Sequence, residues 1–208
     1  MWIAIFLALI FIACFASLMT GGLWSNTITL VNVITSALLA TNYFEPLANL
    51  FDKQEPSYTY IWDFLALWGI FAVSMTILRV ATDYVSQVKV KFFMPVEKAG
   101  GYIMAIWASW IVLCFATMTL HTAPLSRNFM GFQSEPSTRM LFGLAPDRLW
   151  LAWVWRESRG TLCGLRAIVE FDPQHDFILR YASRRDEFDK QITLGKAGGG
   201  GMPVDAPK

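Results

Sequence analysis

The stretch EKAGGYIMAIWASWIVLCFATMTLH, Glu97 to His121, decides the fold. After Lys98 it holds no Asp, Glu, Lys or Arg. A bilayer core about 30 Å thick takes roughly 20 apolar residues as a helix. Residues from about 100 to 121 therefore predict a membrane span, which Pro124 closes. Within it Gly101, Ala105 and Ser109 recur at every fourth position, and Ala116 extends the same stripe. Tyr102, Ile103, Ile106, Trp107 and Trp110 fall mainly elsewhere around the helix. Helices in lipid have little hydrophobic reason to associate; small side chains let their backbones approach, and dispersion with weak Cα–H contacts holds them. Gly101, Ala105 and Ser109 are thus expected to form a packing face, against another span or a second copy of the chain.

The rest of the first half has the same character. No charged residue occurs before Glu45. Residues 1–122 hold five basic and six acidic side chains against twelve and ten in residues 123–208, so the chain divides into an apolar half and a charged half. Three further spans are predicted, at about 2–19, 24–44 and 60–80. Thr20-Gly21-Gly22 marks the first turn, and Glu45-Pro46 ends the second span. A cleaved leader is not favoured at the N-terminus, because a charged n-region is missing and a second apolar run follows at once. Lysines and arginines in short loops set orientation. Lys89, Lys91 and Lys98, with Arg79 at the edge, make the third loop the cytoplasmic one, which puts both termini outside. Arg127 and Arg139 argue the other way.

Polar residues inside the spans need a reason, since lipid offers them no partner. Ser25, Thr29, Asn32 and Ser36 share one stripe of the second span. Two readings follow: a helix contact with interhelical hydrogen bonds, or the lining of a path. A conducting path is easier with an acidic residue on the stripe, and none is there. Asp63 near the start of span three is expected at the headgroups, and Arg79 with Asp83 as a local pair four residues apart. His121 is expected as a lone interfacial histidine. Cys14 and Cys114 read as small apolar residues, and with Cys163 they give neither a disulfide framework nor metal spacing. No metal and no cofactor is expected. The net charge of +1, with arginines interleaved among acids, gives no nucleic-acid footprint.

Residues 125–195 are expected as an extramembrane tail and 196–208 as disordered, from the composition of GKAGGGGMPVDAPK. LAPDRLWLAWVWRESRG predicts a helix at about 146–159, with Pro146 and Asp147 suiting its start and Gly160 its end. It is too short to span. Trp150, Trp153 and Trp155, with Arg148, Arg156 and Arg159 at the ends, suit a helix lying among lipid headgroups; packing on the chain's own spans or on a partner are the other readings. LRAIVEFDP predicts an extended segment. Asp172-Pro173-Gln174-His175-Asp176 reads as a polar loop rather than a metal site. A helix at about 175–192 is expected to turn Phe177, Tyr181, Phe188 and Ile192 to one side and Arg184, Arg185, Asp186, Glu187 and Asp189 mostly to water.

The whole is an all-α, polytopic membrane protein of four transmembrane helices with a short, mostly helical tail. That arrangement resembles the colicin V production protein (CvpA) family of bacterial inner-membrane proteins. The fourth span of that family opens with Asp-Arg, two residues, Gly, three residues, Gly, two residues, Arg-Gly. Glu97-Lys98 stand where Asp-Arg would, Gly101 matches the first Gly, Ala105 stands for the second, and Ala108-Ser109 stand for Arg-Gly. The family's first turn has Gly near Arg-Gly followed by an acid; Thr20-Gly21-Gly22-Leu23-Trp24-Ser25-Asn26 keeps the glycines without the charges. The resemblance covers about residues 1–124, in architecture more than in charge.

It implies a link to secretion of, or response to, a bacteriocin and to envelope homeostasis. Some relatives carry a periplasmic serine protease after the spans, which implies an anchor for an outward-facing domain. Residues 123–208 hold no Gly-x-Ser-x-Gly elbow. The expectation is a non-enzymatic inner-membrane scaffold or regulator of an envelope or export process, in contact with lipid and with itself or another membrane protein. The alternative is a small transporter or channel using the polar stripe of span two. An enzyme would need Asp63, Glu97 and His121, predicted at different helix ends, to converge.

Overall fold

The computed structural model describes residues 2–55, 58–86, 93–125, 143–158, 171–172 and 174–197. Lys89, Lys91, Arg127, Arg139, Arg159, Gly160 and Cys163 lie outside that set. So do most of the expected extended segment, residues 165–170 and 173, and residues 198–208 of the expected disordered end.

Among the described residues six helices follow one another, with no strand: α1 (Trp2–Leu18), α2 (Leu23–Gln54), α3 (Thr59–Val85), α4 (Met94–Thr122), α5 (Pro146–Ser158) and α6 (Phe177–Ala197). Three of them, α2, α3 and α4, are long and apolar enough to cross a membrane. The α1 helix is apolar on every side but has only 17 residues, about 26 Å of helix against a core of about 30 Å.

The long helices overrun the expected spans. Pro46, expected to end the second one, lies inside α2, which continues to Gln54. Proline removes one backbone donor and strains the preceding turn. Here Phe44 and Ala48, four apart, are both buried on the same side of the helix, and that shared packing holds it continuous. At the far end, α2 and α3 are tied by Trp62 Nε1 donating to the Glu55 carbonyl at 3.0 Å and by Phe51 against Trp62.

The centre of the bundle is α4. It packs against α1, α2, α3, α5 and α6, whereas α3 packs mainly on α2. Over half (56%) of α4's most apolar window is buried, against 11% for α3. Leu113 to Thr119 is buried without a break, as befits a helix enclosed on all sides. The main core joins Ala37, Ala40 and Phe44 of α2, Ala66 and Leu67 of α3, Phe115 and Met118 of α4, Trp150 and Val154 of α5, and Phe177 and Tyr181 of α6. It therefore sits toward the end of the bundle where the tail docks. Ile3 and Leu7 of α1 pack separately on Leu113. Valine, isoleucine and tyrosine side chains along the outer side of α3, such as Val73, Ile77, Val80 and Tyr84, are exposed, which is the arrangement of a helix facing lipid.

Candidate functional site

Hydroxyls in the spanning helices mostly satisfy themselves. Thr29, Thr41, Thr82, Ser109 and Thr117 each donate to the carbonyl four residues back, so they add no unpaired donor to the apolar interior. Cross-helix polar contacts then mark the places where the fold is specified.

One such place is the turn between α1 and α2. Asn26 is 1% exposed, and its amide donates to the Leu18 carbonyl at 3.0 Å and to the Gly101 carbonyl at 2.9 Å. The turn glycines sit directly on α4. A Cβ on Gly101 would meet the Gly21 carbonyl oxygen at 3.0 Å and the Leu23 amide nitrogen at 3.3 Å. A Cβ on Gly22 would meet the Glu97 carboxylate at 2.7 Å, and one on Gly21 the Asn26 side chain at 2.3 Å. The face of Gly101, for which another span or a second copy was expected, is thus taken by this chain's own turn. Ala105, Ala108 and Ser109 continue it and are fully buried, while Tyr102, Ile103, Ile106 and Trp107 point outward. Replacing Asn26 by Leu keeps the size and removes both bonds. It is expected to cost about 1–3 kcal/mol, read as a lower thermal midpoint in detergent. Ser17→Ala, which loses only an exposed local bond to Cys14, is expected to leave the midpoint in place.

A second seam runs between α2 and α3. Asn32 donates to Thr82 Oγ1 at 3.0 Å, Arg79 to Thr29 Oγ1 at 2.8 Å, and Ser36 faces Met75 Sδ. Thr29, Asn32 and Ser36 are buried and Ser25 is half-buried. The stripe that offered a path lining is closed against α3. Arg79 also pairs with Asp83 at 3.0 Å, and Trp24 Nε1 donates to Ser86 at 2.8 Å.

The opposite end of the bundle gathers most of the buried ionisable groups. Antiparallel packing puts the start of α3 beside the end of α4, so Asp63 and His121 lie at one end while Glu97 lies at the other. His121 does not stand alone: its Nε2 is 2.9 Å from Asp147 Oδ2, with both side chains almost fully buried. Asp147 was legible only as an acid suited to the first turn of α5; its second role is to tie α5 to the end of α4. Asp63 is paired with Arg184, which also donates to the Thr59 carbonyl at 3.0 Å. Arg185 donates to the His121 carbonyl at 2.8 Å and reaches that of Leu120. It thereby serves carbonyls that the end of α4 leaves without helical donors. Arg180 pairs with Glu45 at 2.7 Å.

Arg184 and Arg185 were expected mostly in water. With Phe177, Tyr181 and Phe188 they occupy positions i, i+4, i+7, i+8 and i+11, one stripe of a helix, and the stripe faces the bundle. Phe177 packs edge-on against Phe44, and Phe188 lies on Tyr60. Burial pushes the Tyr181 phenol well above its usual range. The start of α6 is capped by Asp172, whose carboxylate accepts from the amides of Asp176 and Phe177. Asp172, read as part of a polar loop, is thus used as a helix cap.

The three tryptophans of α5 turn to protein. Trp150 is 2% exposed, donates to Thr41 Oγ1 at 3.2 Å and lies edge-on to Phe115. Trp153 stacks obliquely on Trp150, and Trp155 on His175. A face rich in indoles suits headgroups and a protein groove alike; the polar partner on α2, 109 residues away in sequence, is what sequence alone does not display.

The arrangement is thus a bundle with a glycine knot at one end and a tail-capped polar cluster at the other. The family model for colicin V production protein matches residues 3–156. The chain belongs to that family. No curated protein and no solved structure matches it. Within the colicin V production protein family match fall α1 to α4 and nearly all of α5, so it extends past the residue 124 at which the resemblance was expected to stop. The two pieces of the family pattern, the glycine turn after α1 and the small residues opening α4, are in direct contact. Together with the three apolar helices, family membership makes this a multi-pass membrane protein.

Proposed function

We propose that this chain is a non-enzymatic inner-membrane protein that scaffolds or regulates an envelope process, in particular the export or production of a bacteriocin. The observation that carries the reading is the family match over residues 3–156. The uses of the polar residues support it. Asp63, His121 and Asp147 are engaged in contacts between helices, and Glu97 lies at the other end of the bundle. The stripe of α2 is closed on α3, which leaves the transporter alternative without support.

In this reading α1 is a fourth, short span. The lysine-bearing loop between α3 and α4 lies in the cytoplasm and α5 and α6 lie outside. The partners are lipid and another membrane protein or a second copy, met through the outward sides of the bundle. Deleting the chain is expected to change release of, or sensitivity to, a colicin V-type bacteriocin, and the full chain is expected to restore it. Unchanged bacteriocin behaviour together with unchanged envelope permeability would overturn the reading. Crosslinking in native membranes tests the association separately, and recovery of monomer alone removes it.

A further inference from the structure

The family match ends at residue 156, and α6 begins at Phe177. The α6 helix is therefore an addition to the matched unit, yet it covers that unit's end. Beneath it lie the carboxylates of Glu45 and Asp63 and the last carbonyls of α4. A helix C-terminus carries partial negative charge, so the covered surface is acidic, with Phe44 and Tyr60 as its apolar parts. The α6 helix answers with Arg180, Arg184 and Arg185 between Phe177, Tyr181 and Phe188.

We propose that α6 is a releasable strap over an acidic docking face of the bundle, a face that selects a basic amphipathic helix and has this chain's own residues 177–197 as its resident occupant. Complementary charge on three different helices argues for selectivity. The thinness of the attachment argues for release. Phe177 and Tyr181 are the only buried aromatic anchors among the described side chains of α6, and Ser183, Asp186, Glu187 and Lys190 are exposed. Segments with few buried apolar contacts open locally at low free energy. The Arg180–Glu45 pair is about half exposed on both sides, where salt screens it. Burial pulls the Arg185 guanidinium down to about 10, so desolvation of that cation offsets part of what docking gains. The proposal concerns which segment covers which face and stands apart from the bacteriocin assignment.

Hydrogen exchange of the full chain in nanodiscs of zwitterionic lipid tests it. In the Glu45→Gln, Asp63→Asn double variant the α6 amides are expected to exchange about tenfold faster, with α2 and α4 unchanged; high salt is expected to act in the same direction on the wild type. A labelled peptide of residues 177–197 is expected to bind full-length Arg184→Ala, whose own strap is loosened, and to lose that binding when Asp63→Asn is added. Should the double variant fail to fold, Glu45→Gln alone is expected to speed exchange in α6 only. Exchange of α6 in step with α4 under every condition, or peptide binding equal with and without Asp63 or to empty nanodiscs, overturns the proposal.

Discussion

Gly101→Leu is expected to destabilise the protein by about 3 kcal/mol or more. The reason is what a side chain there would strike. The nearest atoms to a Cβ are the Gly21 carbonyl oxygen at 3.0 Å, the Leu23 amide nitrogen at 3.3 Å and the Gly22 carbonyl carbon at 3.4 Å. All three belong to backbone, and backbone cannot rotate aside as a side-chain tip can. A leucine would push the α1–α2 turn off α4, and with it would go the Asn26 bond to the Gly101 carbonyl. Gly101→Ala adds that Cβ alone, which meets the same three atoms at 3.0 to 3.4 Å; the turn can relieve this by moving a few tenths of an ångström, so a loss of about 1 kcal/mol is expected. Gly69 is the control. Nothing lies within 4 Å of a Cβ there, and alanine is the better helix former, so Gly69→Ala is expected to be neutral or mildly stabilising. Thermal unfolding in detergent, followed by size exclusion, ranks the three. Equal midpoints for Gly101→Leu and Gly69→Ala would show that the turn does not rest on α4.

The small-residue face of α4 was readable because a four-residue spacing maps directly onto one side of a helix. The spacing put Gly101, Ala105 and Ser109 together and Tyr102, Ile106 and Trp107 elsewhere, and burial sorts them the same way. What covers that face was not readable, since the answer is a turn about 80 residues earlier that the spacing does not encode. The same limit applies to His121, whose partner Asp147 lies 26 residues on across a connection of mixed composition. Arg184 and Arg185 are different. Their places on the α6 stripe were in the sequence, but an apolar-only count of that stripe ignores cations, and an arginine is buried wherever a carboxylate or a helix end can receive it. Asn26 is inconspicuous in the sequence for a related reason. It lies next to Ser25 but off the Ser25–Ser36 stripe, and the signal that could have found it is its place one turn into a helix that follows Gly21-Gly22.

Trp150→Ala is expected to cost about 3–5 kcal/mol, a fall in the thermal midpoint of roughly 10 °C for a chain of this size. An indole at the headgroup level would lose far less, because lipid and water refill the space that alanine leaves. Trp150 cannot be refilled that way. It is enclosed by Phe115 and Trp153 and belongs to the core that joins α2, α4, α5 and α6, so its removal opens a cavity where those helices meet. The effect should reach the His121–Asp147 pair, since Asp147 sits one turn earlier on the same short helix. Amides of α5 are therefore expected to lose their protection from exchange together rather than one by one. Trp150→Phe separates the two parts of the interaction. It keeps much of the ring packing and removes the bond to Thr41, whose hydroxyl still donates to the Ala37 carbonyl at 2.8 Å, so about 1 kcal/mol is expected. Trp155→Ala, which removes the ring contact with His175 and lies outside the core that Trp150 belongs to, is expected to fall below Trp150→Ala. Equal and small effects at both positions would return α5 to the membrane surface and detach it from the bundle, whereas the predicted order makes α5 a structural part of the unit that the family match encloses.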